Sequence, residues 1–125
     1  MGMSEELSQY IRRGQVYWIE DGYGKNGHMY IVLTSEEAMN DRFNQINVIQ
    51  ITSKEHKENK DWLVRIPANN LPECNQTKES YANCLRVYIF KKDKFIKPCG
   101  VIPKEIMLKI DKYVFTSLGL YELIE

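Results

Sequence analysis

Short runs of β-branched and aromatic residues, each closed by glycine, proline or charge, recur along this chain and limit what it can fold into. They are "QVYWIE" (15–20), "HMYIVLTS" (28–35), "INVIQITS" (46–53), "WLVRIP" (62–67), "SYANCLRVYIF" (80–90) and "FIKPCG" (95–100). Runs of this length and composition are strands. The segments between them, "DGYGKNG" (21–27), "KEHKENKD" (54–61) and "KKDK" (91–94), are dense in turn-forming and charged residues and are expected to be loops or hairpin turns. Within "INVIQITS" the alternation places Ile46, Val48, Gln50 and Thr52 on one face and Ile49 and Ile51 on the other. One long stretch departs from the pattern. After Pro103, the residues Ile106, Ile110, Tyr113, Val114 and Ser117 recur at helical spacing and Gly119 stands where a helix ends.

Two shorter helical segments are also expected. Ser4 with Glu5 and Glu6 opens a helix whose Leu7, Tyr10 and Ile11 share a face, and Gly14 closes it. "SEEAMNDRF" (35–43) begins in the same way. Many short strands with one C-terminal helix make a mainly β chain with helices, arranged as a small, partly closed antiparallel barrel. A length of 125 residues suits one domain, able to bury roughly two-thirds of the surface its unfolded chain exposes. Residues 1–125 are therefore expected to form a single barrel domain, with 1–13 as a short helical extension.

Seventeen basic residues balance seventeen acidic ones, so bulk charge does not make this a coat for nucleic acid, although a local basic patch remains open. Cys74, Cys84 and Cys99 contain no C-x-x-C pair and supply neither a disulfide framework nor a four-cysteine zinc site; they are expected to be buried or idle thiols. The first ten residues lack a basic region followed by an apolar run, and no stretch has the apolar length of a membrane span. The expectation is a cytoplasmic protein that neither spans nor binds a membrane. No Gly-rich phosphate loop, H-E-x-x-H helix or G-x-S-x-G turn is present, which argues against metal sites, cofactors and nucleotide hydrolysis.

Several segments, taken in order, resemble one family. "RRGQVYWIE" is similar to the opening strand of the MazF/PemK-like toxins, the ribonuclease halves of bacterial type II toxin–antitoxin pairs. "MYIVLTS" resembles their second strand, "INVIQITS" the strand ending in I-T-S or I-T-T, and "SYANCLRVYIF" the strand carrying S-x-x-x-C. "IPKEIMLKIDKYVFTSLGL" resembles their closing helix. The resemblance runs from Arg13 to Leu120. It implies an SH3-like barrel related to the gyrase-poisoning CcdB proteins, a homodimer, and a groove used for single-stranded RNA or for a segment of a cognate antitoxin. In the family an arginine and a threonine near adjacent strand ends carry much of a metal-independent cleavage. Thr52 matches the threonine. At the arginine position, normally followed by proline, this chain has His28 followed by Met29.

Such a reaction needs a group to take the proton of the ribose 2′-hydroxyl, one to protonate the leaving oxygen, and donors for the phosphate. Arginine offers fixed charge, whereas histidine, whose ordinary pKa of about 6.5 lies near working pH, offers exchangeable protons. His28 and Thr52 are thus the candidate catalytic residues. His56, four residues beyond Thr52, makes a possible acid–base pair with His28. Ser53, Lys54 and His56, the loop residues Tyr23 and Lys25, and Arg86 are the candidate RNA-binding residues. Arg86 opens "RVYIFKKDKFIK", where basic residues interleave with Tyr88, Phe90 and Phe95 as in surfaces that stack unpaired bases. A hairpin whose lysines guard an exposed edge is the competing explanation. The alternative to an enzyme is a non-catalytic member of the same fold, without the family arginine, that binds RNA, a protein target such as gyrase, or only a partner peptide.

Overall fold

In a computed structural model of the protein, the structure is described for residues 11–22, 27–39, 44–53, 61–67 and 79–120. The expected helix before Gly14 falls mainly outside them. Seven strands form the sheet: β1 (Gln15–Ile19), β2 (His28–Val32), β3 (Gln45–Thr52), β4 (Leu63–Ile66), β5 (Ser80–Asn83), β6 (Tyr88–Lys91) and β7 (Phe95–Val101). A short helix α1 (Glu36–Met39) follows β2, and α2 (Lys104–Ser117) follows β7. The Ser35 hydroxyl accepts the Ala38 N–H at 3.2 Å, which is the capping expected at α1.

All pairings are antiparallel, and the spatial order is β4-β5-β3-β2-β1-β7 with β6 beside β3. This path does not close on itself, as expected for an incomplete barrel. Strand β3 is the hinge of the arrangement. One edge pairs with β2, while the other is shared, Gln45–Val48 with β6 and Ile51–Thr52 with β5.

Both faces of the sheet are buried, which explains the near-continuous apolar runs in the sequence. On one face Val16, Ile31, Ile49, Ile51, Val64, Ile66 and Ala82 pack against Met107 and Ile110 of α2. On the other, Tyr17, Ile19, Tyr30, Val32, Ile46, Val48 and Phe95 form a second cluster. The division of β3 into Ile46/Val48 and Ile49/Ile51 follows the alternation read from the sequence. Each isoleucine fully removed from water stabilises the fold by about 1.5–3 kcal/mol relative to exposure. The Arg13 guanidinium binds the Asp111 carboxylate and the Leu33 carbonyl, tying the end of β2 to α2.

Three expectations need correction. "SYANCLRVYIF" is two strands, because the chain turns at Cys84 and Leu85, where the Asn83 side-chain oxygen accepts the Leu85 N–H at 3.1 Å. The aromatic residues around "KKDK" serve the core. Phe95 is fully buried with its ring 5.2 Å from that of Tyr17, and Tyr88 and Phe90 pack on Tyr30. Cys99 is disulfide-bonded, so it is not an idle thiol.

Cys84 is a free thiol, buried, and burial, with the Asp111 carboxylate adding to it, pushes its pKa up to about 12. A thiol that holds its proton this firmly is a poor nucleophile. We expect native protein at about pH 8 to resist iodoacetamide at Cys84 and to react there once unfolded, as read by peptide mass spectrometry. The folded thiol keeps its proton to higher pH than the unfolded one, so alkali above the ordinary thiol range lowers stability.

Candidate active site

The β1–β2 hairpin builds one wall of a cleft. Its last pair is Ile19 with His28, and the backbone reaches that register through Gly27. At φ +76°, a Cβ on this residue would lie 2.0 Å from the Ile19 carbonyl oxygen. Only glycine permits this approach. Just beyond β1 the Glu20 N–H donates to the Lys94 carbonyl at 2.9 Å, which extends the β1–β7 ladder and fixes the chain at Asp21.

The other wall comes from β3 and β5. Strand β2 pairs with β3 through Tyr30↔Gln50, Ile31↔Ile49 and Val32↔Val48. The ladder ends at Tyr30↔Gln50, and His28 and Thr52, two residues beyond it on either strand, both line the cleft. The cleft, about 390 Å³, is lined by Trp18, His28, Met29, Gln50, Ile51, Thr52, Ser53 and Ser80. It takes consecutive residues from both β2 and β3, so it lies across the strand ends and not on one face of the sheet.

His28, Thr52 and Ser53 are thus brought together on one cleft. Arg86 is exposed and does not line the cleft. Tyr23, Lys25, Lys54 and His56 lie outside the described residues. Trp18, Gln50 and Ser80 were not singled out from sequence. A signal existed for two of them: Gln50 shares the Thr52 face of β3, and Ser80 is the serine of the S-x-x-x-C segment.

A further residue stands behind the wall. The side chain of Asp21 is fully buried, and its Oδ2 lies 2.7 Å from Nδ1 of His28, whose own side chain is 42% exposed. The Tyr30 hydroxyl donates to the same oxygen at 2.6 Å.

No arginine or lysine among the described residues lines the cleft. Arg13 is bound to Asp111 and Leu33, and Arg12 donates to the Ile11 carbonyl at 3.2 Å. Arg65 pairs with Glu79 on the exterior, holding that carboxyl below its ordinary range. The cleft therefore offers one group able to exchange protons, three hydroxyls and an amide as neutral hydrogen-bonding partners, and the Trp18 ring as an apolar surface. Among the described residues no three His, Cys, Asp or Glu side chains converge to hold a metal ion. No helix there is long and apolar enough to cross a membrane.

The profile of the PemK-like, MazF-like toxins of type II toxin–antitoxin systems matches residues 12–118. No curated protein sequence matches the chain significantly. Among solved structures, the fold is similar to an endoribonuclease in complex with its cognate antitoxin from a mycobacterial species: 22% identity, TM-score 0.67, over 87% of this chain and 93% of that one. It is similar to the Mycobacterium tuberculosis toxin MazF-mt6 at 11% identity and TM-score 0.69, over 84% of this chain and 96% of that one. A MazE–MazF complex from Deinococcus radiodurans aligns at 14% identity and TM-score 0.67, over 88% of this chain and 97% of that one.

Proposed function

The chain belongs to the PemK-like, MazF-like toxin family, and from that premise we propose that it is a metal-independent endoribonuclease cleaving single-stranded RNA in the cleft between β2 and β3. The observation that carries this reading is the convergence of His28 and Thr52, from separate strands, on one cleft furnished with further hydroxyl and amide groups. In the proposed reaction the ribose 2′-oxygen attacks the adjacent phosphorus as its proton passes to the His28 imidazole. The P–O2′ bond forms, the P–O5′ bond breaks, and the leaving 5′-oxygen takes up a proton from solvent water. The Thr52 hydroxyl donates to a non-bridging phosphate oxygen, where negative charge builds, and Trp18 offers a face on which a base stacks. The products are a 2′,3′-cyclic phosphate and a 5′-hydroxyl.

By analogy with the antitoxin-bound mycobacterial and Deinococcus proteins, the partner is a cognate antitoxin that competes with RNA, and the working form is a cytoplasmic homodimer. A second reading is favoured by one observation, the lack of any described arginine in the cleft. In it the protein is a binding module of the same fold that engages RNA, gyrase or a partner peptide without cleaving.

Thr52→Ala separates the two. For an enzyme, loss of one donor to the developing charge is expected to lower single-turnover cleavage about 10²–10³-fold, with RNA affinity within a few-fold of wild type. Product ends would be read by sequencing and mass spectrometry. Equal cleavage by the variant would remove Thr52 from the mechanism, and absence of cleavage by both proteins would favour the binding module.

A further inference from the structure

We infer that Asp21 is a positioning residue for the proton chemistry of His28, acting through the His28–Asp21–Tyr30 hydrogen-bonded chain; this rests on the ribonuclease reading. A carboxylate only accepts hydrogen bonds. Oδ2 of Asp21 already accepts from the Tyr30 hydroxyl at 2.6 Å and stands 2.7 Å from His28 Nδ1, so the proton of a neutral His28 resides on Nδ1. That leaves Nε2 bare, with a lone pair to take the 2′-hydroxyl proton. Free histidine prefers the opposite tautomer, with its proton on Nε2, so the preference here is imposed by the fold.

Asp21 is fully buried while His28 remains 42% exposed, and a carboxylate charge is kept in the interior only where it is paired and hydrogen-bonded, as it is here by His28 and Tyr30. Here histidine supplies what fixed arginine charge cannot, and a carboxylate that would have formed a static ion pair with arginine becomes part of the proton-transfer apparatus. Among the described residues, three features hold Asp21 in place. They are the Glu20–Lys94 backbone bond at 2.9 Å, the Tyr30 hydroxyl, and the wall of aromatic rings in which Tyr88 and Phe90 pack on Tyr30.

The test compares wild type, Asp21→Asn, Asp21→Ala and Tyr30→Phe by cleavage kinetics and by ¹⁵N NMR of the imidazole nitrogens. The chain has two histidines, and His56→Gln assigns the signals. In wild type the two-bond ¹H–¹⁵N pattern at high pH is expected to show Nδ1 protonated and Nε2 bare. Asp21→Ala should return the ring to the tautomer mixture of free histidine. Asp21→Asn and Asp21→Ala should lower kcat about 10–100-fold, a part of what a well-placed acid–base group supplies. KM should stay unchanged, since a fully buried side chain does not touch RNA. Tyr30→Phe, which leaves the acceptor in place, should keep the tautomer.

A wild-type ring protonated on Nε2, or Asp21 variants that alter neither tautomer nor kcat, would overturn the inference. Absence of cleavage by wild type with Nδ1 still protonated would instead refute the ribonuclease reading and leave the positioning of His28 standing, so the two failures are distinguishable.

Discussion

His28→Ala is expected to lower RNA cleavage about 10²–10⁴-fold, the range over which a positioned acid–base side chain contributes. The change also has a cost to the fold. It removes the His28 contact to a fully buried carboxylate, a loss of about 1.5–3 kcal/mol for a hydrogen bond to a charged group. His28→Asn separates these effects, because the asparagine amide can donate to Asp21 from near the place of Nδ1 but cannot exchange a proton at neutral pH. We expect His28→Asn to be as inactive as His28→Ala and closer to wild type in denaturant midpoint. If His28→Asn retained wild-type rates, His28 would be no more than a hydrogen-bonding residue of the wall.

Gly27 sets the second large effect, this one on stability. A left-handed conformation at a residue with a Cβ costs about 1–2 kcal/mol. The Cβ of Gly27→Ala would also meet the Ile19 carbonyl oxygen at 2.0 Å, its carbon at 2.9 Å and the Glu20 Cα at 3.2 Å. All of these are backbone atoms at the end of β1, and none can rotate aside. A total loss of about 3–5 kcal/mol follows, among the largest expected of single substitutions. Because that hairpin end carries both Asp21 and His28, cleavage should fall with it. Gly22→Ala is the control. Its φ of +80° is similar but nothing lies within 4 Å of the added Cβ, so only the conformational cost of about 1–2 kcal/mol applies. Urea denaturation of both variants checks the contrast, and equal midpoints would show that the close approach to Ile19 carries no cost.

The elements with a regular period were legible in sequence. The two-residue alternation of β3 and the helical spacing of α2 follow from backbone geometry, and each matched its buried face. The long apolar run from Ser80 hid a turn, because Cys84, Val87, Tyr88 and Phe90 all contribute to the interior and so no change of polarity marks the break. The same cause left the sequence reading of Tyr88, Phe90 and Phe95 open between a base-stacking surface and a hairpin: an aromatic beside lysines has the same letters whether its ring faces solvent or the core. Thr52 and His28 were found through resemblance and local strand ends. Asp21 was not. It sits in a loop, where no periodicity applies, and its meaning depends on a turn that brings it back against His28 and Tyr30 from seven and nine positions away.

The central claim is that histidine has taken the place of arginine in a working ribonuclease cleft. Its most direct test is cleavage of a long single-stranded RNA in excess chelator by wild type and His28→Arg, at matched protein concentration and with fold verified by circular dichroism. The account predicts that wild type cleaves and that His28→Arg, which replaces an exchangeable proton by fixed charge beside Asp21, is slower. An inactive wild type together with a cleaving His28→Arg would contradict it, showing a barrel whose family chemistry was lost at this one position.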